Sequence, residues 1–310
     1  MNLAQQKIKQ AVENCNTEEF SFKEINFCGE NAVLVNPALQ GMSWTQENKY
    51  LRSVIYRKSD YKVLSSGFEK FCNYSENPEN FPPPQDLEDS WIIDKIDGSL
   101  LILSYVNEQL NMRTRGTASY VTLENNKDFE IALEKYPLIK PWIKNHPNLS
   151  LLFEIVTPNQ KIVLDYPEID LFLIGAMDKE TLELENQVTV GSYAMEMCVP
   201  RPKIYHFDNL SELIDTITNA KGIEGCCLYK NSGIWKIKSS DYLKKHSFKS
   251  NATPKNILEL YSDQNYPKFD DFKNYIINNF DFECWTMVEG LITQICVFKK
   301  EVDLDIKDAQ

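Results

Sequence analysis

The chain has 310 residues, 43% of them hydrophobic and 25% charged, with a formal net charge of −12. That content marks a globular chain with a sizeable core in one large or two ordinary domains. No stretch of about 18 uncharged apolar residues is available to cross a bilayer, and Met1-Asn2-Leu3-Ala4-Gln5-Gln6-Lys7 lacks the apolar core of a signal peptide, so the expected location is the cytoplasm, with no membrane partner.

Apolar positions Leu3, Ile8, Ala11 and Val12 predict an N-terminal helix over 3–14. Short apolar runs on either side of Gly29-Glu30-Asn31 predict a hairpin that Pro37 ends. A second hairpin is expected from Leu51 to Tyr56, turning at Lys58-Ser59-Asp60 and returning from Tyr61 to Phe68. The segment Asn77 to Pro84, with prolines at 78, 82, 83 and 84, can continue neither helix nor ladder and reads as an extended surface connection.

It leads to Trp91-Ile92-Ile93-Asp94-Lys95-Ile96-Asp97-Gly98-Ser99-Leu100, a strand-like run interrupted by a lysine, acids and a glycine. Lysine is ordinarily protonated, with a pKa of ~10.4, and becomes nucleophilic when desolvation or a nearby cation or metal lowers that value. Gly98 permits a close approach of backbone or ligand. Strands are predicted over 99–106 and 110–115, and alternation sets Arg113 and Arg115 on one face, an arrangement suited to bidentate phosphate binding. A helix is predicted over 128–145, broken at Pro137 and resumed after Pro141. Three strands should follow, at Leu149–Val156, Lys161–Tyr166 and Leu171–Ala176. Glu154 lies mid-strand, and if buried it needs a partner. Phe172 reads as an ordinary core phenylalanine.

A helix over 208–220 precedes a hairpin from Ile223 to Tyr229 that turns at Lys230-Asn231-Ser232-Gly233 and returns through Ile234-Trp235-Lys236-Ile237-Lys238. Lys236 and Lys238 share a face, which costs energy unless an anion lies between them. Beyond Lys245 the pattern turns helical, giving expected domains of 1–245 and 246–310. Acids crowd the stretch from Asp263 to Asp308, whereas Lys230, Lys236, Lys238, Lys244, Lys245 and Lys249 face few acids locally, so a local basic surface with salt-sensitive binding is expected despite the net charge. The eight cysteines include no Cys-x-x-Cys pair and read as free thiols, and His146, His206 and His246 stand at no metal-ligand spacing.

Lys95-Ile96-Asp97-Gly98-Ser99-Leu100, Arg113-Thr114-Arg115-Gly116, Phe153-Glu154, Glu224-Gly225 and Trp235-Lys236-Ile237-Lys238 follow one another in the order found in covalent nucleotidyltransferases, the ATP-dependent ligases and messenger-RNA capping enzymes. Over about residues 50 to 245 the chain most resembles the phage-type RNA ligase 1 family, which carries Lys-x-Asp-Gly-Ser-Leu followed by a basic-x-basic-Gly element. The resemblance implies an α+β fold, an antiparallel-sheet adenylation domain followed by a small α-helical C-terminal domain. It implies ATP and Mg²⁺ as cofactors, and as partner an RNA whose 5′-phosphate and 3′-hydroxyl ends are sealed through lysyl-AMP and RNA-adenylate intermediates, as in RNA repair.

On the same resemblance Lys95 is the nucleophile, deprotonated in an electropositive pocket, and Asp97 orients it or serves the later steps. Arg52, Lys70, Arg115, Lys236 and Lys238 contact phosphates, Gly98 belongs to the nucleotide site, Glu154 accepts a ribose hydroxyl, and Glu224 acts near the metal or the nucleotide. The metal ligands are not assigned. The chain departs from the family where Ser53 replaces a usual glycine, Cys72 a common phenylalanine and Arg115 a lysine, and its helical tail is shorter than usual. A DNA ligase or guanylyltransferase is the alternative within enzymes. A non-catalytic RNA-binding module with a relict pocket is the alternative outside them, which the intact Lys95, Glu154, Glu224, Lys236 and Lys238 disfavour.

Overall fold

A computed structural model describes residues 1–38, 42–123, 126–231, 233–265, 267–280 and 282–308. It divides into two units, Met1–Thr218 with Ile223–Lys238, and Asn219–Gly222 with Ser239–Gln310. In chain order the elements of the first are α1 (Leu3–Asn14), β1 (Phe20–Phe27), β2 (Glu30–Pro37), β3 (Val54–Arg57), β4 (Val63–Ser66), β5 (Cys72–Asn73), β6 (Ser90–Asp94), β7 (Ser99–Val106), β8 (Gln109–Arg113), α2 (Asn126–Lys135), α3 (Ile139–Asn145), β9 (Leu149–Val156), β10 (Asp170–Asp178), α4 (Gln187–Met197), β11 (Ile204–Tyr205), α5 (Leu210–Asn219), β12 (Gly225–Lys230) and β13 (Gly233–Lys238).

The strands form three sheets, ordered β1-β2-β3-β4, β10-β9-β7-β8 and β11-β6-β12-β13-β5. Their ladders are antiparallel except for β13 with the two-residue β5. Alternation decides which face meets what. On β7 and β9, Leu101, Leu103, Leu151, Phe153 and Ile155 pack against apolar residues of α2, α3 and α4, including Phe129, Trp142 and Val190. The opposite face of the same strands carries Ile102 and Leu152, which join the core of the first sheet with Val33, Val35 and Val54. At that junction the hydroxyls of Ser65, Ser104 and Ser150 form a buried chain, each link 2.9 Å long. On β12, Cys226 and Leu228 pack with Leu213 and Ile217 of α5. Cys227 and Tyr229 therefore look the other way, toward the site.

Three sequence expectations change. Residues 161–166 form no strand. The chain there wraps a buried carboxylate, with the Val163 and Leu164 amides both donating to Asp97 Oδ2 at 2.8 Å. Pro141 lies inside α3, in its first turn, where a missing N–H has no intrahelical partner to lose. Helix α4, absent from the expected series, starts at Asn186, whose side chain accepts from the Thr189 amide at 2.9 Å.

The second unit contains α6 (Ser240–Asn251), α7 (Pro254–Asp263), α8 (Phe269–Asn279) and α9 (Phe282–Asp308). Phe248, Ile257, Tyr261, Phe272, Ile276 and Trp285 form its core. Helix α6 runs through residue 245, so the helical portion begins earlier than the expected 245/246 boundary. Ser232 of the expected turn lies outside the described residues. No helix among the described residues is long and apolar enough to cross a membrane.

Phe153 is 0% exposed at the centre of β9. Phe153→Ala is expected to lower unfolding free energy by about 3–5 kcal/mol, through lost burial and the cavity left behind, as read in a denaturant titration.

Candidate active site

Backbone contacts place Lys95 before any side chain does. Its N–H donates to the Gly225 carbonyl at 3.0 Å, which extends the β6–β12 ladder one residue past Asp94. Gly225 holds φ +152°, and a Cβ there would collide with the Ile237 carbonyl of β13. A Cβ on Gly98 would strike the Ile155 carbonyl of β9, so glycine is what lets the turn after Lys95 press against that strand. The Gly98 N–H is thereby brought to the Glu154 carboxylate.

These contacts border a cavity of about 260 Å³ whose polar lining includes Arg52, Lys95, Glu154, Lys236 and Lys238. Glu224, 3% exposed, bridges two of the lysines, with Lys95 Nζ on Oε2 at 2.9 Å and Lys238 Nζ on Oε1 at 2.8 Å. Glu224 itself is thus the anion that meets Lys238, paired with Lys95 rather than with Lys236. Lys236 instead lies over the Phe71 ring, 5.1 Å from its centroid.

The charges follow from this arrangement. Burial opposes the Lys95 cation, but the carboxylates of Glu224 and then Glu154 outweigh it and hold the ammonium above the ordinary lysine range. The expectation of a deprotonated Lys95 is thereby corrected: its nearest charged neighbours are acids. Among the described residues Lys236 forms no ion pair, and burial, then the charges of Lys70 and Arg52, push it down to about 8 against the weaker pull of Glu76. Burial pushes Glu154 up to about 7, against the attraction of Lys95.

Arg52 ends a 3₁₀ turn, Lys49–Arg52, rather than lying on a strand. Its guanidinium stacks 5.4 Å from the Phe71 ring, and burial and the charge of Arg115 push it down to about 10. Lys70 pairs with Glu76 at 2.8 Å and is close enough to Lys236 to depress it. Arg115 lies beyond the end of β8, exposed. Arg113 does not share its surface: it is 0% exposed and bonded to serine and carbonyl oxygens, because the face that alternation assigned to it meets a second sheet. Asp97 is buried, its Oδ2 accepts from the Val163 and Leu164 amides at 2.8 Å each, and the Tyr166 hydroxyl accepts from the Asp97 N–H at 3.1 Å.

Several lining residues were missed. Cys227 faces Ile93 and Lys236 across its two ladders, so extending the Lys236 face to the neighbouring strand would have found it. Phe172, outside that lining, is half-buried and pairs with Glu154 in the β9–β10 register, which puts it on the Glu154 face of its sheet rather than in the core. Among the described residues no group of three or more His, Cys, Asp or Glu is arranged to hold a metal ion.

Residues 50–253 match a family profile described as RNA ligase. The chain is 26% identical over 242 residues to a protein of Autographa californica nuclear polyhedrosis virus named as a bifunctional polynucleotide kinase/RNA ligase, covering 67% of this chain and 32% of that one. It is 24% identical over an alignment of 293 residues to an RNA ligase of Rhodothermus phage RM378, covering 71% of this chain and 64% of that one. It thus spans about a third of the first relative and just under two thirds of the second. Among solved structures, an archaeal ATP-dependent RNA ligase shares its fold at a TM-score of 0.56 and 15% identity, covering 92% of this chain and 74% of the other.

Asp97→Ala is expected to speed amide hydrogen exchange at Val163 and Leu164 by about tenfold or more, as two charge-assisted bonds are lost. Unchanged exchange at both amides would contradict the assignment of Asp97 to that loop.

Proposed function

We propose that this chain, which belongs to the RNA ligase family, is an ATP-dependent enzyme that joins RNA 5′-phosphate and 3′-hydroxyl ends, as in RNA repair. The observation that carries the reading is Lys95 in a half-open cavity, paired with Glu224 at 2.9 Å and sharing the walls with Arg52, Lys236 and Lys238. A nucleophilic amine beside a cluster of cations suits attack on a polyphosphate, since the cations stabilise the charge that develops on the leaving group.

Lys95 Nζ gives up its proton, for which the Glu224 carboxylate is the base within reach. The nitrogen then bonds to the α-phosphorus of ATP as the bond to the β-phosphate oxygen breaks and pyrophosphate departs. An RNA 5′-phosphate oxygen next attacks the adenylyl phosphorus, breaking the P–N bond and restoring the lysine. A 3′-hydroxyl, losing its proton, finally attacks the 5′-phosphate phosphorus and releases AMP. Lys70, Lys236, Lys238, Arg52 and Arg115 are the phosphate-binding cations of this reading. Glu154 accepts a ribose hydroxyl, and Phe172 and Cys227 bound the base. Asp97 supports the loop at residues 163–164 through its Oδ2.

Magnesium bound with the triphosphate would neutralise phosphate charge. Glu154 and Glu224 are the carboxylates available to it, a number that suits an ion retaining water and phosphate oxygens as its other ligands. Eight free cysteines fit a reducing compartment, and we place the chain in the cytoplasm.

With α-labelled ATP and Mg²⁺, the protein is expected to take a covalent label on a denaturing gel and Lys95→Ala to take none. Labelling by GTP instead would favour a guanylyltransferase. No label from any nucleotide, in folded and unadenylated protein, would favour a binding module. Joining of DNA ends in preference to RNA ends would favour the DNA ligase.

Glu154 yields a second test. A carboxyl raised to about 7 in the folded state binds its proton more tightly there than in the unfolded chain, so its contribution to stability is present at low pH and is lost as pH rises through about 7. Wild type is expected to lose thermal stability from about pH 5 to about pH 8 relative to Glu154→Gln, which lacks the titrating group. Parallel pH profiles would contradict a raised Glu154.

A further inference from the structure

Arg113 is buried completely, and its hydrogen bonds run to neutral oxygens: Ser65 Oγ at 2.8 Å, Ser53 Oγ and the Ser53 carbonyl at 3.1 Å, and the Thr114 carbonyl at 3.2 Å. No carboxylate is among its partners in the described residues, and burial pushes the guanidinium down to about 9. A buried cation so placed is a costly way to join two sheets, because apolar residues of similar size would do so without the desolvation penalty.

The accepting atoms are not scattered. Ser53 follows Arg52, and Thr114 precedes Arg115. The Ser53 hydroxyl, while accepting from Arg113, donates to the Arg115 carbonyl at 3.1 Å. The Asn36 amide, with its nitrogen turned toward them, donates to the carbonyls of Arg115 and Arg52 at 3.0 and 3.3 Å. Gly67 donates its N–H to the Ser53 carbonyl at 2.9 Å, and a Cβ on it would lie 3.1 Å from Ser53 Oγ, so the hydroxyl is confined. Two departures from the family pattern, Ser53 for glycine and Arg115 for lysine, therefore touch through one hydrogen bond.

We infer that Arg113 and the Ser53 hydroxyl are positioning residues that hold Arg52 and Arg115 side by side, against their mutual repulsion, as a paired cation site for the pyrophosphate that leaves the α-phosphorus when Lys95 attacks it. The inference rests on the ligase reading, and it adds a buried layer beneath the residues that meet phosphate. Arg113 acts through Ser53, Ser65 and the Thr114 carbonyl and touches no phosphate itself. Its removal should weaken the grip on ATP without touching the steps that follow pyrophosphate release.

The test compares wild type with Ser53→Gly, Ser53→Ala and Arg113→Lys in two assays: self-labelling against ATP concentration, and sealing of a pre-adenylated RNA, which needs no ATP. The serine variants remove one hydroxyl from extended backbone and keep the fold within reach if Arg113→Lys unfolds. Both are expected to raise the ATP concentration for half-maximal labelling by about tenfold, as expected for loss of hydrogen bonding to a charged group. Sealing of pre-adenylated RNA is expected to stay at the wild-type rate. Wild-type ATP dependence in both serine variants would overturn the inference, as would equal losses in the two assays, which mark a merely structural brace. A wild-type protein that takes no label from ATP would overturn the ligase reading and this inference with it.

Discussion

A single carboxylate, Glu224, organises the cavity. It sits one residue before β12, at the point where Gly225 receives the backbone N–H of Lys95, and it grips Lys95 and Lys238 through separate oxygens. Two lysines in the same cavity show what it does. Lys95, with the carboxylate, is held above the ordinary range, whereas Lys236, without one, is driven down by burial. Lys95 is therefore held as a protonated ion pair, and the acid that holds it so is also the group within reach of its proton. Breaking such a buried pair by deleting one partner typically costs about 3–5 kcal/mol, so the arrangement is rigid until another charged group competes for it.

The three sheets exist to bring distant residues to that acid. Lys95 and Glu224 are 129 positions apart in the chain, and only the β6–β12 ladder makes them neighbours. Glu154 arrives from a different sheet. On β9 it is the charged member of a face it shares with Ser150, Leu152 and Val156, and the odd-numbered residues on the other face bury against α2, α3 and α4. Alternation thus delivers a charged side chain to the cavity and a hydrophobic row to the core from one strand, without either compromising the other.

Much of this was readable from sequence, for reasons that also mark where reading fails. Period-two alternation put Lys236 and Lys238 on one face, as they are, and short apolar runs found both N-terminal hairpins, whereas Glu154 was left between an exposed and a pocketed position. Alternation could not say what a face looks at. Arg113 was assigned to a phosphate surface and lies instead between two sheets, in contact with Ser53 and Ser65. Residues 161–166 have strand-like composition, yet their amides serve the Asp97 carboxylate, a tertiary bond that no local pattern announces. Helix α4 was hidden by β-branched residues and by exposed apolar side chains, Val188 and Met195, which blur its amphipathic signal. The charge of Lys95 depends on Glu224, 129 positions along the chain, which the expected electropositive pocket left out of account.

Gly98 and Gly225 carry a consequence for how such a site can diverge. Each presses against a carbonyl of an adjoining strand, where any Cβ would collide, so the spacing around Lys95 is set by main chain meeting main chain. Side chains of the cavity can then be exchanged one at a time, arginine for lysine or serine for glycine, while the backbone around Lys95 keeps its spacing. The evolvable part of the pocket is its chemistry, and the frozen part is two missing methyl groups.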